Sequence, residues 1–217
     1  MSWEEAKKMA QKNSREYRNV MVPFEVREAG EGEMIVAGYA CTFNEPYELY
    51  SWDDVTVREQ IAPDAFNDAD MSDVIMQYNH EGRVFARNSN DTLTVTPDEK
   101  GLYIEADLSG TELGRQLYEE IRGGYTNKMS FGFTVEADEE TRSEEDGRVD
   151  YLRTITKIRK LYDVSAVSIP ANDATSISVR KLTDGVIEKL RAERLAAEEL
   201  ETERRRLKVK ARALGGI

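Results

Sequence analysis

Cysteine and histidine are nearly absent: the 217 residues contain one of each, Cys41 and His80. A lone cysteine excludes an intramolecular disulfide, and one cysteine with one histidine leaves no ligand set of the zinc type. A single imidazole also means that any histidine-assisted chemistry must run through His80. Cys41 falls in the apolar stretch from Met34 to Phe43, where a small buried side chain is expected rather than a nucleophile. Long apolar runs are missing as well. Residues 1–15 are charged and lack the apolar core of a secretory signal, and no segment has the length of a membrane span. A soluble, intracellular protein without metal or other cofactor is therefore expected.

What is present is charge, and it is unevenly placed. Lys and Arg number 30 against 42 Asp and Glu, a formal net charge of −12. Residues 1–180 carry 20 basic and 35 acidic side chains, whereas residues 181–217 carry 10 and 7. An acidic body repels phosphate backbones, which disfavours nucleic-acid binding by the main domain. The same charge also serves plain solubility. A hydrophobic fraction of 40% suffices for one core, and the length fits one domain with appendages. These are an N-terminal arm 1–19, a body 20–180 and a C-terminal extension 181–217.

Residues 3–18 read as a short polar helix or loose arm anchored by Trp3, Met9 and Tyr17, whose removal leaves the core intact. From Met21 the pattern becomes strand-like. Val22 to Val26 and Met34 to Phe43 flank Gly30-Glu31-Gly32 as a hairpin, with β-branched and aromatic residues bounded by glycines. Residues 44–60 form an irregular segment ending in Val55-Thr56-Val57-Arg58-Glu59, and Ile61 to Phe66 turn into a short helical turn near Pro63. Val74 to Tyr78 is a strand that delivers Asn79-His80 to a loop at Glu81-Gly82-Arg83. Leu93 to Thr96 and Leu102 to Asp107 alternate at period two as a second hairpin. Thr111 is a helix N-cap, and Leu113, Leu117 and Ile121 recur every four residues until Gly123-Gly124 stops the helix.

The stretch around which the chain is organised follows. In a strand from Met129 to Val135, Met129, Phe131, Phe133 and Val135 share one face while Ser130, Gly132 and Thr134 share the other. Asp138 to Arg148 is charge-rich and reads as a solvated hairpin loop. Strands at 150–159 and 161–169 follow, closing at Pro170-Ala171-Asn172. Alternation puts Leu161, Asp163, Ser165, Val167 and Ile169 on one face, so Asp163 is a charge in an otherwise apolar row apart from Ser165. Lys181 to Leu214 is rich in Ala, Glu, Leu and Arg, contains no proline, and reads as one long helix. Val186, Leu200, Leu207 and Leu214 lie on a seven-residue grid that Glu193 interrupts, a weak coiled-coil signal. The tail is either a projecting helix with a partner or a solvated extension. Its Arg204-Arg205-Arg206 cluster, beside Glu201 and Glu203, reads as a solvated face.

A serine hydroxyl becomes a good nucleophile only when a base within hydrogen-bond reach takes its proton, and imidazole does this best near neutral pH. His80 and Ser130 are 50 residues apart and meet only if the fold joins two strand ends, as a closed or nearly closed sheet does. A lone His and Ser are also found in most proteins as a bonded loop histidine and a small packed serine. Both explanations stay open on these residues alone.

Asn79-His80, Gly82-Arg83, Thr92-Leu93-Thr94-Val95, Asp98 to Leu102, Gly124-Tyr125-Thr126 before Met129-Ser130-Phe131-Gly132-Phe133, and Asp163 to Asn172 stand in an order and spacing that resembles the prohead maturation proteases of tailed bacteriophages. That family is related to the herpesvirus assemblins. The likeness runs from about Val22 to Asn172, with Ile61 to Phe66 matching the loop before the histidine strand. It implies a predominantly β, α+β fold. The expected architecture is a closed or partly open β-barrel of the herpesvirus-protease kind with flanking helices, here followed by a long C-terminal helix. It implies a serine endopeptidase with Ser130 as nucleophile and His80 as general base. Such an enzyme cleaves scaffolding protein, or the scaffold-like arm of the major capsid protein, inside an immature head in the host cytoplasm, and then cuts itself. Self-association is a further partner mode.

The herpesvirus relatives use a second histidine as third member, and this chain has none. A carboxylate is the natural substitute, because it accepts the other ring N–H and stabilises imidazolium. Asp163 is the candidate, since a charge in an apolar row implies a partner. The competing explanation is an edge-strand aspartate in solvent. Asp98, which also suits a turn, and Asp107 are lesser candidates. Arg83, Arg87 or backbone groups before Ser130 are candidates for an oxyanion hole. A dyad of Ser130 with Lys128 ranks below histidine, because residues two apart on a strand have little freedom to meet head-on. Two other functions compete with the peptidase: a non-catalytic capsid-assembly or scaffold-binding module, and an esterase. Against the latter, no Gly-x-Ser-x-Gly elbow surrounds Ser130.

Overall fold

The computed structural model describes residues 14–20, 24–27 and 32–168 and, in the tail, 185, 188, 192, 193, 195, 196 and 199–210. The chain divides into two compact units, Met1–Ser178 and Val179–Ile217. In the first, the strands are β1 (Glu16–Val20), β2 (Glu25–Arg27), β3 (Ile35–Thr42), β4 (Tyr47–Trp52), β5 (Val55–Ile61), β6 (Ile75–Tyr78), β7 (Glu81–Arg87), β8 (Leu93–Pro97), β9 (Gly101–Asp107), β10 (Lys128–Glu145) and β11 (Arg148–Val167). The helix α1 (Glu112–Arg122) precedes β10. Among the described residues no helix is long and apolar enough to cross a membrane.

The strands form two sheets, a seven-stranded one ordered β1-β10-β11-β5-β4 with β6 and β7 branching from β11, and a four-stranded one ordered β2-β3-β9-β8. The spine is β11. One edge pairs with β10 along its whole length, while the other takes β5 in parallel over Val149 to Ile155 and then β6 in parallel over Asp163 to Ala166. Because two partners share one edge in succession, the large sheet forks instead of curling round. The expected barrel is therefore not formed: no described pairing joins β1 to β4 or one sheet to the other. The core lies where the sheets face, with Val36, Leu102 and Ile104 from the small sheet against Phe131, Phe133, Leu161 and Val164 from the large one.

Helix α1 follows its sequence pattern. Thr111 is extended and its side chain accepts from the Gly114 N–H, the N-cap expected of threonine. Leu117, Tyr118 and Ile121 are buried in the core, and Leu113 sits at the rim, 36% exposed. Burying Leu117 and Ile121 contributes about 1.5–3 kcal/mol each. The hairpins β2-β3 and β8-β9 pair antiparallel as their alternation predicts.

Several expectations are overturned. The described end of the arm is strand β1, antiparallel to β10, with Arg18 buried, so the arm is not dispensable. Residues 44–60, expected as irregular, contain β4 and β5 as a hairpin about Asp53, which has φ 54°. The charged excursion at 138–148 is not a loop: β10 and β11 continue as a ribbon to a two-residue turn at Asp146 and Gly147, φ 49° and 78°. On β10 the side chains of residues 139–145 are exposed on both faces, so the apolar alternation that marks a strand is absent there, whereas Val149 and Tyr151 across from them on β11 are buried; backbone pairing holds the ribbon. For the same reason of continuous pairing, the strands expected at 150–159 and 161–169 are one. Glu81 to Arg83, expected as loop, begins β7. The expected turns at Gly30-Glu31 and Pro170-Ala171-Asn172, and arm residues 1–13, lie outside the described residues.

In the second unit every described position is helical and exposed, among them Leu195, Leu200, Leu207 and Val209. Glu201 and Arg205 pair at 2.8 Å one turn apart. Of the expected helix, residues 181–184, 186, 187, 189–191, 194, 197, 198 and 211–214 lie outside the described residues, Val186 and Leu214 of the seven-residue grid among them.

Candidate active site

Three elements converge on one face of the large sheet. On β10 and β11 the register pairs Ser130 with Ser165 and Gly132 with Asp163, while Phe131 pairs with Val164 and Phe133 with Leu161. Paired residues share a face, so Ser130, Gly132, Asp163 and Ser165 form a square opposite the apolar core. The alternation expected for β11 placed Leu161 beside Asp163. A register shift at Gly132/Phe133 leaves Tyr162 as an extra residue, and Leu161 turns into the core instead.

The third element is the β6-β7 hairpin. Tyr78 pairs with Glu81, so Asn79-His80 is a two-residue turn, and both have positive φ, 52° and 61°. This is the turn type whose twist suits a hairpin. Positive φ is uncommon outside glycine, though asparagine and histidine take it more readily than most residues, and it costs about 1–3 kcal/mol. The turn is pinned to the end of β11: the Asn79 N–H donates to the Ala166 carbonyl at 2.9 Å, and the Ser168 N–H donates to Asn79 Oδ1 at 3.2 Å. Parallel pairing of β6 with β11 thus carries His80 over the square.

His80 lies between the other two candidates. Its Nδ1 is 2.5 Å from Asp163 Oδ1 and its Nε2 is 2.5 Å from Ser130 Oγ. An ionised carboxylate can only accept, so Nδ1 carries the proton and Nε2 is left to accept the Ser130 hydroxyl. Ser130 and Asp163 have no exposed surface, and the His80 side chain is 16% exposed. Ser165 Oγ donates to Asp163 Oδ1 at 2.7 Å, and the Arg15 guanidinium lies 3.9 Å from Oδ2. Gly132 makes room for the carboxylate: a Cβ there would sit 2.3 Å from Asp163 Oδ2 and 2.9 Å from Tyr17 Cε1. Tyr17 closes the site, its ring centroid 4.3 Å from that of His80.

Strand β1 reaches this face with Tyr17, opposite Gly132, and reaches the other face with Glu16 and Arg18, opposite Phe133 and Phe131. There Arg18 donates to Glu59 from Nε at 2.5 Å and to Glu16 from Nη2 at 2.5 Å. Arg153 donates to Glu59 at 2.8 Å, to Glu16 at 3.0 Å and to Asp138 at 2.7 Å, and the Tyr47 hydroxyl donates to Glu59 at 2.6 Å. Burial alone would raise the Glu59 carboxyl, but Arg18 and Arg153 outweigh it and hold the pKa at about 2. Such a network is costly to desolvate and costlier to break.

The other candidates fall elsewhere. Asp98 accepts from the Lys100 and Gly101 N–H groups and from the Tyr39 hydroxyl, closing the β8-β9 turn. Asp107 accepts from the Ser109 N–H. Arg87 pairs with Asp73, and Arg83 is exposed on β7. At Ser130 Oγ the hydrogen-bond partner is His80 and not Lys128. Cys41 is buried, which pushes its thiol up to about 12, outside nucleophile range. Sequence reasoning missed Tyr17 and Gly132 as parts of this site. Their signal was the parity of β1 and β10, usable only once the β1 register was known.

The chain is similar to known proteins. A family described as the caudovirus prohead serine protease matches residues 22–187. The prohead protease of Enterobacteria phage HK97 is 30% identical over 167 residues, which make up 75% of this chain and 67% of that protein. The solved structure of the bacteriophage T4 capsid assembly protease, gp21, aligns with 71% of this chain and 99% of its own at 12% identity, with a TM-score of 0.39. The family match takes in β2 through β11, including Ser130, His80 and Asp163, and the chain belongs to the caudovirus prohead serine protease family.

Proposed function

We propose that this phage head maturation protease cuts peptide bonds with Ser130 as nucleophile, His80 as general base and Asp163 as the carboxylate that orients the imidazole. The observation that carries the proposal is the unbroken line from Asp163 Oδ1 through both ring nitrogens to Ser130 Oγ, with 2.5 Å on either side of the ring. As Ser130 Oγ attacks a peptide carbonyl, its proton passes to His80 Nε2, and the imidazolium is held against Asp163. The same proton then goes to the departing amine, and the acyl-enzyme is released by water that His80 deprotonates in turn.

The substrates that fit this role are the scaffolding protein or the scaffold-like arm of the major capsid protein, cut inside the procapsid within the host cytoplasm, together with the chain itself. On this proposal the catalytic unit ends near residue 180, and 181–217 is a docking extension that recruits the enzyme to scaffold and is trimmed by self-cleavage. The exposed apolar residues of the tail helix support a docking role.

A fluorophosphonate probe tests the chemistry without knowledge of the cleaved sequence, since it labels an activated serine and leaves a structural one untouched. The native protein is expected to label at Ser130. Ser130→Ala and His80→Ala are expected to label at background while melting as the native protein does. Undiminished labelling of Ser130→Ala would remove Ser130 as the nucleophile.

A further inference from the structure

Asp163 has no exposed surface, and among the described residues only one of its oxygens is hydrogen bonded. Oδ1 receives the His80 ring and, at 2.7 Å, the hydroxyl of Ser165, whereas Oδ2 has no hydrogen-bond partner among the described residues and faces Arg15 at 3.9 Å. A carboxylate held by a single hydrogen bond from one imidazole is free to turn about its Cβ–Cγ axis and tilt its plane away from the ring. Ser165 removes that freedom. It sits two residues along β11 on the same face and is itself fully buried, and its hydroxyl fastens the oxygen that meets His80.

We infer that Ser165 is a positioning residue of the protease, acting through Asp163 to fix the orientation of the carboxylate that accepts the His80 Nδ1–H hydrogen bond. The inference rests on the proposed roles of Ser130, His80 and Asp163 and adds a fourth member to their hydrogen-bonded line. Ser165 does not compete with Ser130 for the base, because its hydrogen bond runs to the carboxylate and His80 Nε2 is taken by Ser130. Sequence parity supplies the design: Ser165 lies directly across the strand pair from Ser130, and Asp163 directly across from Gly132. Carboxylate and nucleophile are thus held on adjacent strands with the hydroxyl as the brace. No bond is made or broken at Ser165.

The test measures the maximal rate and the half-saturating concentration of fluorophosphonate labelling in a double-mutant cycle with Asp163→Asn. Ser165→Ala is expected to lower the maximal rate ten- to a hundredfold and to leave half-saturation within twofold. In the Asp163→Asn background the same change is expected to cost less than twofold, because the hydrogen bond from His80 Nδ1–H to the carboxylate, through which Ser165 acts, is already lost. A packing role would lower the rate equally in both backgrounds, and that result overturns the inference, as does native labelling by Ser165→Ala. Should Ser165→Ala fail to fold, Ser165→Cys, which keeps nearly the same volume with a weak donor, is expected to fold and to lose at least fivefold. Native labelling by that variant would equally overturn the inference. Loss of labelling in Ser130→Ala with none in Ser165→Ala defeats this inference alone, whereas native labelling in Ser130→Ala defeats the assignment beneath it.

Discussion

Replacing Glu59 by glutamine removes the anion on which two buried guanidinium groups converge. Glu59 has no exposed surface and accepts from Arg18, Arg153 and Tyr47. In the variant both arginines remain buried with only Glu16 and Asp138 to balance them, and the new amide turns N–H groups toward donors. Breaking a buried charged network in this way costs about 3–5 kcal/mol, a large share of the 5–15 kcal/mol typical of a domain. The pH dependence gives an independent magnitude. The Glu59 carboxyl is lowered from 4.5 to about 2 in the folded protein. A depressed carboxylate adds stability above its unfolded pKa and loses it as pH falls through the folded one, here about 3 kcal/mol in all. About 2 kcal/mol of that is gone by pH 3. Urea unfolding followed by intrinsic fluorescence at pH 7, 5 and 3 reads both quantities. Glu59→Gln is expected to be about 3–5 kcal/mol less stable at pH 7 and to lose about 2 kcal/mol less than the native protein on going to pH 3. If the variant unfolds within 1 kcal/mol of native at pH 7, or if the two curves fall in parallel with acid, the role assigned to the network is wrong.

Other outcomes follow from the site. Asp163→Asn reverses the preferred ring tautomer of His80 and is expected to slow fluorophosphonate labelling by about 10⁴-fold, and a loss under tenfold would make Asp163 a bystander. Gly132→Ala places a methyl against the Asp163 carboxylate and the Tyr17 ring, so labelling is expected to fall at least tenfold with about 1–3 kcal/mol of stability; native labelling would show that the carboxylate has room to yield. Thr111→Ala removes the N-cap of α1 and is expected to cost about 1 kcal/mol in urea while leaving labelling untouched. Mass spectrometry of the protein from mature heads is expected to show loss of residues beyond about 180, and an intact Ile217 would count against trimming.

The parts of the fold legible in the sequence were those whose signal is local. The period of Leu117 and Ile121, the cap at Thr111 and the two alternating hairpins each depend on neighbours a few residues away, and they are formed as expected. The ribbon of β10 and β11 was missed because residues 139–145 of β10 are polar and exposed on both faces, although Asp146-Gly147 is itself a hairpin turn signal. The parallel pairings of β11 with β5 and β6 left no trace in local pattern, and they decide that the large sheet forks instead of closing. The face on which Ser130 lies was legible from the alternation of β10. That His80 comes to lie over it was not, since this depends on β6 lying beside Asp163 to Ala166. For Asp163 the alternation gave a neighbour, Leu161, that the extra residue at Tyr162 sends to the opposite side.

The first described strand has a practical bearing on how the enzyme can be handled. Arg18 and Tyr17 are consecutive, yet one is locked among charges beneath the sheet and the other rests on the imidazole above it. A nick, a truncation or a fusion joint introduced between residues 14 and 20 would therefore strip the imidazole of its cover and unseat Arg18 in a single stroke. Preparations shortened past Tyr17 should be judged by their unfolding curves before any loss of cleavage is blamed on chemistry.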